Sequence, residues 1–205
     1  MSTVKKLLTA IILLTLNQIL FSQKIEIYIN DHLEIISKED YKKRGVNYRL
    51  QNIETDSVLY KVRVEHEGKG KLTTTEFSEL KKSLSVSETD TKNIVIHYYQ
   101  GLDACNQHAD KNEFVIDDIR TYNRKFKKSN SNLYFVYKET KGLKNRLDIT
   151  TWIDDTSGAI ENLFFKMEYP CDSAVVIFPD GNYIIFRGEH NWEKVFNTTT
   201  ENYTM

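Results

Sequence analysis

Cysteine, proline and glycine are all scarce in this 205-residue sequence, which contains two, two and eight of them. Two cysteines are too few for a disulfide-dense scaffold, and eight glycines exclude a collagen-like repeat. The scarcity of proline, together with ten Phe, twelve Tyr and 40% hydrophobic residues, argues against intrinsic disorder. Neither sign of charge is in excess, since 28 Lys and Arg face 29 Asp and Glu, so we expect no nucleic-acid partner. The length fits one compact domain, or one domain with a small appendage.

The signature motifs of nucleotide binding and of serine hydrolases are also absent. The sequence has no P-loop and no Gly-x-Gly-x-x-Gly, so the usual cradle for phosphate groups is missing. It has no Gly-x-Ser-x-Gly elbow to carry a nucleophilic serine. We therefore predict no cofactor.

Residues 1–22 have the pattern of a secretory signal peptide. Lys5 and Lys6 form a positive n-region, 7–21 is mostly apolar, and Ser22 suits the cleavage position. The uninterrupted apolar run is shorter than the roughly 20 residues that a spanning helix needs, and no second long apolar run follows. We expect cleavage near Ser22, a periplasmic or secreted mature protein, and no membrane contact beyond the leader.

Residues 23–84 are predicted to form a β-rich extension with short helical segments. Strand-like alternation of apolar and polar residues occurs at 25–29, 33–36, 46–50 and 58–64. Ser37 is a good N-cap for a short helix, and Thr73 with Glu76 has the spacing of a capping box. The polar residues 85–92 are the predicted linker to the next domain.

Residues 93–205 alternate between strand and helix signals. Short apolar runs predict buried strands at 94–99, 133–137, 174–178 and 183–186. A helix is predicted from Cys105 to about Lys128, and 143–165 is predicted to be helical or mixed. A short helix is predicted from Trp192.

This order of strand, helix, strand, helix, hairpin and final helix resembles a thioredoxin-like domain of the type found in exported thiol–disulfide oxidoreductases. The segment 93–99 resembles the central strand that leads into the family's active-site loop, and 173–185 resembles its closing hairpin, with Asp180-Gly181 as the turn. The resemblance covers a little over half of the chain. It implies an α+β or α/β fold, in which a thioredoxin-like C-terminal domain with a mixed sheet follows the β-rich N-terminal extension.

Two features of the family's redox site are missing from this sequence. The family uses two cysteines separated by two residues at a helix N-terminus, whereas the matching loop at 100–106 contains Cys105 alone. The family's cis-proline would fall near Ser173, and Pro170 comes three residues too early. The resemblance therefore implies the fold but not a dithiol within one motif.

Cys105 and Cys171 form an even pair in a chain that is expected to be exported. The resemblance implies that the loops carrying them face each other, which would bring the two residues together. Three interpretations follow: a structural disulfide, two free buried thiols, or a redox-active pair assisted by His108. The third depends on Cys105 lying at a helix start, where a thiol has a lowered pKa.

A metal site was considered for the potential ligands around the same loop. They are His97, Asp103, Cys105, His108 and Asp110, which Cys171 and Asp172 could join. Zinc sites usually pair their ligands at short, repeated spacings, and Cys105 with His108 is the only such pair here. We therefore predict no metal site.

Two functions of different classes are compatible with these observations. The leading hypothesis is a non-catalytic thioredoxin-like module with a structural disulfide, which binds a still unidentified protein or maintains the cell envelope. The alternative is a periplasmic thiol-dependent redox enzyme that uses Cys105 with Cys171, either a thiol–disulfide oxidoreductase or a thiol peroxidase.

Overall fold

The computed structural model describes residues 24–108 and 113–200, and these fall into two compact units. Residues 24–45 and 49–64 form the first unit, and residues 46–48 and 65–200 form the second. The predicted leader, residues 1–22, lies outside the described residues.

A three-stranded sheet with the order β1-β3-β2 forms the framework of the first unit. Its elements are β1 (Ile25–Asn30), α1 (Lys38–Lys42), β2 (Tyr48–Glu54) and β3 (Val58–Glu65). β1 runs parallel to β3. The Ser37 hydroxyl accepts a hydrogen bond from the Asp40 N–H, so the predicted N-cap of α1 is confirmed. Val62 and Val64 are buried, on the face of β3 that the alternation predicts.

The strand predicted at 33–36 does not form. A single bridge joins Ile29 to Ile35, and no ladder follows it. The Asn30 carboxamide oxygen accepts a hydrogen bond from the Glu34 N–H at 2.9 Å, and Leu33 has a left-handed φ of 66°. A side-chain acceptor thus holds this segment as a loop, because Asn competes locally for backbone donors.

The second unit contains a six-stranded mixed sheet with the order β4-β9-β8-β5-β6-β7. Its strands are β4 (Glu67–Lys71), β5 (Asn93–Tyr99), β6 (Ser131–Tyr137), β7 (Trp152–Asp154), β8 (Ser173–Ile177) and β9 (Asn182–Phe186). Its helices are α2 (Thr74–Ser83), α3 (Glu113–Phe126), α4 (Ala159–Phe164) and α5 (Trp192–Thr198). β5, β6 and β7 run parallel, and β4, β8 and β9 pair antiparallel to their neighbours.

β5 is enclosed along its whole length, since all seven of its residues are buried. This agrees with its near-continuous apolar run, which is typical of a strand covered on both faces.

The hairpin between β8 and β9 turns at Gly181, which has a φ of 81° and whose N–H donates to the Phe178 carbonyl at 2.9 Å. The predicted Asp180-Gly181 turn is confirmed.

A cluster of buried residues forms the core between the sheet and the helices α3 and α5. Three of its members, Ile119, Tyr122 and Phe126, are spaced three and four residues apart, so they share one face of α3. The sheet contributes Val95, Phe135, Ala174, Val176, Ile184 and Phe186, and α5 contributes Val195. Because alternate residues of a strand share a face, His97 lies on the same face of β5 as Val95.

The second unit has the thioredoxin-like fold that the sequence predicts. The order β6-β5-β8-β9 has helices after β5, after β7 (which follows β6 at the edge) and after β9, and this gives the strand, helix, strand, helix, hairpin and helix of that fold. The described residues therefore form a mixed α and β structure with a β-rich N-terminal part.

Three elements differ from the prediction. β4, which the sequence analysis placed in the N-terminal extension, pairs with β9 in the six-stranded sheet. The helix predicted to start at Cys105 begins at Glu113, and Cys105 lies in a turn. Part of 143–165, predicted as helical or mixed, forms the edge strand β7. The domain limits 23–84, 85–92 and 93–205 stay a prediction.

None of the helices in the described part of the chain has the length and apolar character needed to cross a bilayer.

Candidate functional site

A disulfide joins Cys105 to Cys171, with 5.1 Å between their Cα atoms and 66 residues between them in sequence. Sheet register explains why two such distant residues meet. Tyr98 at the end of β5 lies opposite Ser173 at the start of β8, so the loop after β5 and the loop before β8 leave the sheet at the same edge. The predicted proximity of the two cysteines is confirmed. Cys105 is exposed and Cys171 is half-buried.

The carboxylate of Asp103 ties both cysteine segments to one another. Its Oδ1 accepts the N–H groups of Cys105 at 2.7 Å and Asn106 at 2.8 Å, and its Oδ2 accepts the N–H of Cys171 at 2.6 Å. These three N–H groups donate to an ionised carboxylate, so their hydrogen bonds are charge-assisted and strong. From the sequence, Asp103 is only a potential metal ligand, and its hydrogen bond to Cys171 is not predicted.

The buried carboxamide of Asn106 makes a second connection between the same segments. Its Nδ2 donates to the carbonyls of Gly101 and Cys171, each at 2.8 Å, and its Oδ1 accepts the Asp103 N–H at 3.0 Å. We call Asp103 and Asn106 together the polar clamp. Because of the polar clamp, the two cysteine segments are held together by more than the covalent S–S bond.

Cys171 has a left-handed backbone conformation, with a φ of 75°. A residue with a Cβ rarely adopts this conformation, and it persists only where the surroundings hold it. Here the surroundings are the polar clamp, which binds both the N–H and the carbonyl of Cys171. Such held conformations are common at functional sites.

The disulfide lines a pocket of about 600 Å³ in the second unit. Other residues lining this pocket are Tyr122, Arg146, Asp172, Glu189, His190 and Trp192. The carboxylate of Glu189 lies within 4.8 Å of both cysteine sulfurs. The pocket therefore brings an accessible disulfide together with titratable groups.

His97 lies beside this pocket and is almost completely buried, with 2% of its surface exposed. Its Nε2 is 3.3 Å from the Tyr122 hydroxyl, and its Nδ1 is 3.8 Å from Oδ2 of Asp172. Burial lowers the pKa of His97, against an opposing effect of the Asp172 carboxylate, so the imidazole is neutral at pH 7. Burial acts to raise the pKa of Asp172, but His190, His97 and Arg146 together outweigh it, so the pKa is lowered.

His190 completes a group of three with His97 and Asp172, in which one ligand atom of each lies within 4.8 Å of the other two. Hairpin geometry places it there, because Phe186 at the end of β9 lies opposite Ala174 at the start of β8. His190 is not among the site residues that the sequence predicts. Its position could have been predicted from the Asp-Gly hairpin, because the hairpin returns the chain to the end of the sheet where β8 begins.

The remaining predicted site residues lie elsewhere. His108 is exposed in the turn after Cys105 and is not among the described residues that line the pocket. Asp110 lies outside the described residues. Cys105 is not at the start of α3, so the predicted effect of a helix N-terminus on its thiol has no basis in the structure.

No protein-family model matches this chain, and no curated protein matches it. Two solved structures are similar in shape. One is a secreted Mycobacterium tuberculosis disulfide oxidoreductase homologous to E. coli DsbE, with 12% identity over 54% of this chain and 82% of that chain, and a TM-score of 0.35. The other is a putative thiol:disulfide interchange protein DsbE from Chlorobium tepidum, with 9% identity over 78% of this chain and 99% of that chain, and a TM-score of 0.40.

Proposed function

We propose that this protein is an exported thiol–disulfide exchange protein that uses the Cys105–Cys171 disulfide as its redox centre. The observation that carries the proposal is the accessible disulfide, built from two segments that the polar clamp also holds together. Exposure gives a substrate thiolate access to the bond, since reaction rates depend on access to the attacked sulfur. The predicted leader supports a location in the periplasm or outside the cell, where disulfides persist.

The polar clamp favours a reversible disulfide over a structural staple. Asp103 and Asn106 bind the backbone of Cys171 and of the loop that contains Cys105, and none of these hydrogen bonds uses a sulfur atom. When the S–S bond opens, the same bonds keep the two thiols close. The protein can therefore alternate between the dithiol and the disulfide without unfolding.

The exchange reaction proceeds in two displacements. A substrate thiolate attacks Sγ of Cys105, the more exposed of the two residues, and the S–S bond breaks so that Cys171 leaves as a thiolate. A second substrate thiolate then attacks the substrate sulfur of this mixed disulfide, and Cys105 leaves as a thiolate. The substrate dithiol is thereby oxidised to a disulfide, and Cys105 and Cys171 take up its two electrons and two protons. Solvent supplies the two protons, and the Glu189 carboxylate lies within 4.8 Å of both sulfurs.

A dithiol peptide provides the test of this proposal. The oxidised mature protein should convert it to the disulfide form stoichiometrically, and Cys105→Ser should abolish the reaction. Cys171→Ser should form a stable mixed disulfide with the peptide through Cys105. His108→Ala is the matched control and should change the rate less than about twofold, because His108 does not line the pocket. Equal, negligible rates for the wild-type protein and Cys105→Ser would refute an exchange function.

A non-catalytic module with a structural disulfide is the second candidate function. The observation that favours it is the position of Cys105 in a turn that precedes the helix α3, and not at the helix N-terminus where the thioredoxin-like family carries its reactive thiol. In that case the wild-type protein would leave the dithiol peptide unoxidised, and Cys105→Ser would lower stability alone.

A further inference from the structure

We propose that His97, Asp172 and His190 form a binding site for a divalent first-row transition metal ion, with Zn²⁺ as the best-suited ion. We call these residues the His–Asp–His group. Two imidazoles and a carboxylate are a donor set that binds zinc in proteins. This proposal concerns metal binding and does not depend on the exchange reaction, because no sulfur atom belongs to the group.

The spacing of the donor atoms is close to what zinc requires. Each ligand atom lies within 4.8 Å of the other two, and His97 Nδ1 is 3.8 Å from Asp172 Oδ2. Zn–N and Zn–O bonds of about 2.0–2.1 Å place tetrahedral ligand atoms about 3.4 Å apart. Small side-chain rotations therefore close the group around an ion.

Each histidine of the group has one ring nitrogen in contact with an oxygen atom and one without a hydrogen-bond partner. His190 Nδ1 lies 2.9 Å from the Gly188 carbonyl, to which only an N–H can donate, so Nε2 carries the lone pair. His97 Nε2 contacts the Tyr122 hydroxyl, which can donate to it, so the neutral ring can carry its lone pair on either nitrogen, and Nδ1 faces Oδ2 of Asp172 at 3.8 Å. His190 Nε2 and His97 Nδ1 are both buried without a hydrogen-bond partner. A metal-binding histidine usually bonds its other nitrogen to an oxygen in this way.

The surroundings of the group also favour a cation. The ring of His97 packs against Trp192 at 4.7 Å and Phe135 at 5.5 Å between centroids, which limits water on that side. Acidic residues outnumber basic ones in the adjoining pocket, with Asp118, Asp172, Glu189 and Glu193 against Lys125 and Arg146. Asp172 and His190 line the pocket, so a bound ion would keep an open coordination position toward it, as catalytic zinc ions do.

The test is a calorimetric titration of the untagged, oxidised mature protein with Zn²⁺ at pH 7.5. Oxidation matters because free thiolates would bind zinc themselves. We expect one equivalent to bind with a dissociation constant in the micromolar range or below. His190→Asn and Asp172→Asn should each weaken binding by at least about 100-fold, since even loss of an outer partner of a ligand costs about 10- to 100-fold.

His32→Ala and His108→Ala are the matched controls, because both residues are exposed and lie outside the group. Both should bind Zn²⁺ like the wild-type protein. Co²⁺ bound to the wild-type protein should show visible absorption bands of four-coordinate nitrogen and oxygen ligation, a result that needs no variant to fold. Absence of stoichiometric Zn²⁺ binding by the wild-type protein would overturn the proposal. Unchanged binding in folded His190→Asn and Asp172→Asn would overturn it as well.

Discussion

Asp103 is the residue on which the geometry of the disulfide most depends. Its carboxylate accepts three backbone N–H groups from the two cysteine segments, at 2.6 to 2.8 Å. Asparagine, which has the same shape, offers only one acceptor oxygen, and its NH₂ group would point two donor hydrogens at the remaining N–H groups. Asparagine therefore cannot make all three hydrogen bonds of Asp103.

Asp103→Asn is expected to lower the free energy of unfolding of the oxidised protein by about 1.5–3 kcal/mol, the usual worth of a hydrogen bond to a charged group. It should also make the disulfide easier to reduce, because the Cys171 segment is held less firmly near Cys105. Urea denaturation measures the first effect, and thiol trapping in glutathione buffers measures the second. Asp118→Asn, an exposed carboxylate of the same pocket, is the control. Equal stability of both variants would contradict the role assigned to Asp103.

Residue patterns predicted part of this site and missed the rest for a physical reason. The resemblance to a thioredoxin-like domain, which rests on the order of elements, predicted that Cys105 and Cys171 meet. The bond from Asp103 to Cys171 and the approach of His190 to His97 are long-range contacts set by sheet register. No local spacing carries that information.

At the scale of elements, the cap of α2 shows how local chemistry sets a boundary. The Thr73 hydroxyl accepts the Glu76 N–H at 3.2 Å, and the Glu76 carboxylate accepts the Thr73 N–H at 2.8 Å. The capping box that the sequence predicts is confirmed. It begins the helix directly after β4.

Thr73→Ala should lower the free energy of unfolding by about 1 kcal/mol, the typical cost of losing an N-cap side chain. Thr74→Ala, one residue further along, is the matched control.

The hydrogen bonds from Thr73 lower the pKa of Glu76 below its ordinary 4.5. The stabilisation by Glu76 is therefore present above pH 4.5 and is lost as the pH falls through the lowered value. Denaturation at a series of pH values should show the difference between wild type and Glu76→Gln shrinking on acidification; a constant difference would contradict this.

Gly142, in the connection between β6 and β7, is required both by its backbone and by its neighbours. Its φ is 88°, and a Cβ there would lie 2.5 Å from Leu102 Cδ2 and 2.5 Å from the Tyr99 hydroxyl oxygen. Gly158 has a similar φ of 65°, but a Cβ there would meet only Asn162 Nδ2, at 3.3 Å. An alanine would have a left-handed backbone at either position, but only at Gly142 would its Cβ be too close to neighbouring side chains.

Gly142→Ala should therefore destabilise the protein by about 1–3 kcal/mol more than Gly158→Ala, the range for overpacking. The comparison cancels the strain of a left-handed alanine. Thermal denaturation of both variants measures the difference. Equal midpoints would show that the neighbours of Gly142 move aside without cost.

Elements with a strong local signal were predicted well, whereas two edge strands were not. β5, the β8–β9 hairpin and α2 each have a clear apolar run, turn or cap. β4 has the sequence Glu-Gly-Lys-Gly-Lys, with no apolar alternation, and it is a strand because β9 pairs with it. β7 is three residues long and exists for the same reason. Whether such a segment becomes an edge strand depends on pairing with a neighbouring strand, and not on the β propensity of its own residues.

At the scale of the whole molecule, the fold places its two groups of reactive side chains at one edge of the six-stranded sheet. The disulfide follows β5 and precedes β8, and the His–Asp–His group draws on β5, the residue before β8 and the segment after β9. The pocket at this edge combines the Cys105–Cys171 disulfide with a candidate metal site. The proposed exchange reaction and the proposed metal binding can be tested separately, because they use different atoms.

A redox titration of the mature protein in glutathione buffers, with thiol trapping and mass spectrometry, tests the central claim most directly. We expect the Cys105–Cys171 bond to open reversibly at a potential between about −120 and −270 mV, the range of thiol–disulfide oxidoreductases. Circular dichroism should show the fold retained in the reduced protein, because the polar clamp stays in place. A bond that remains closed to below about −300 mV, the behaviour of structural disulfides, would contradict an exchange function.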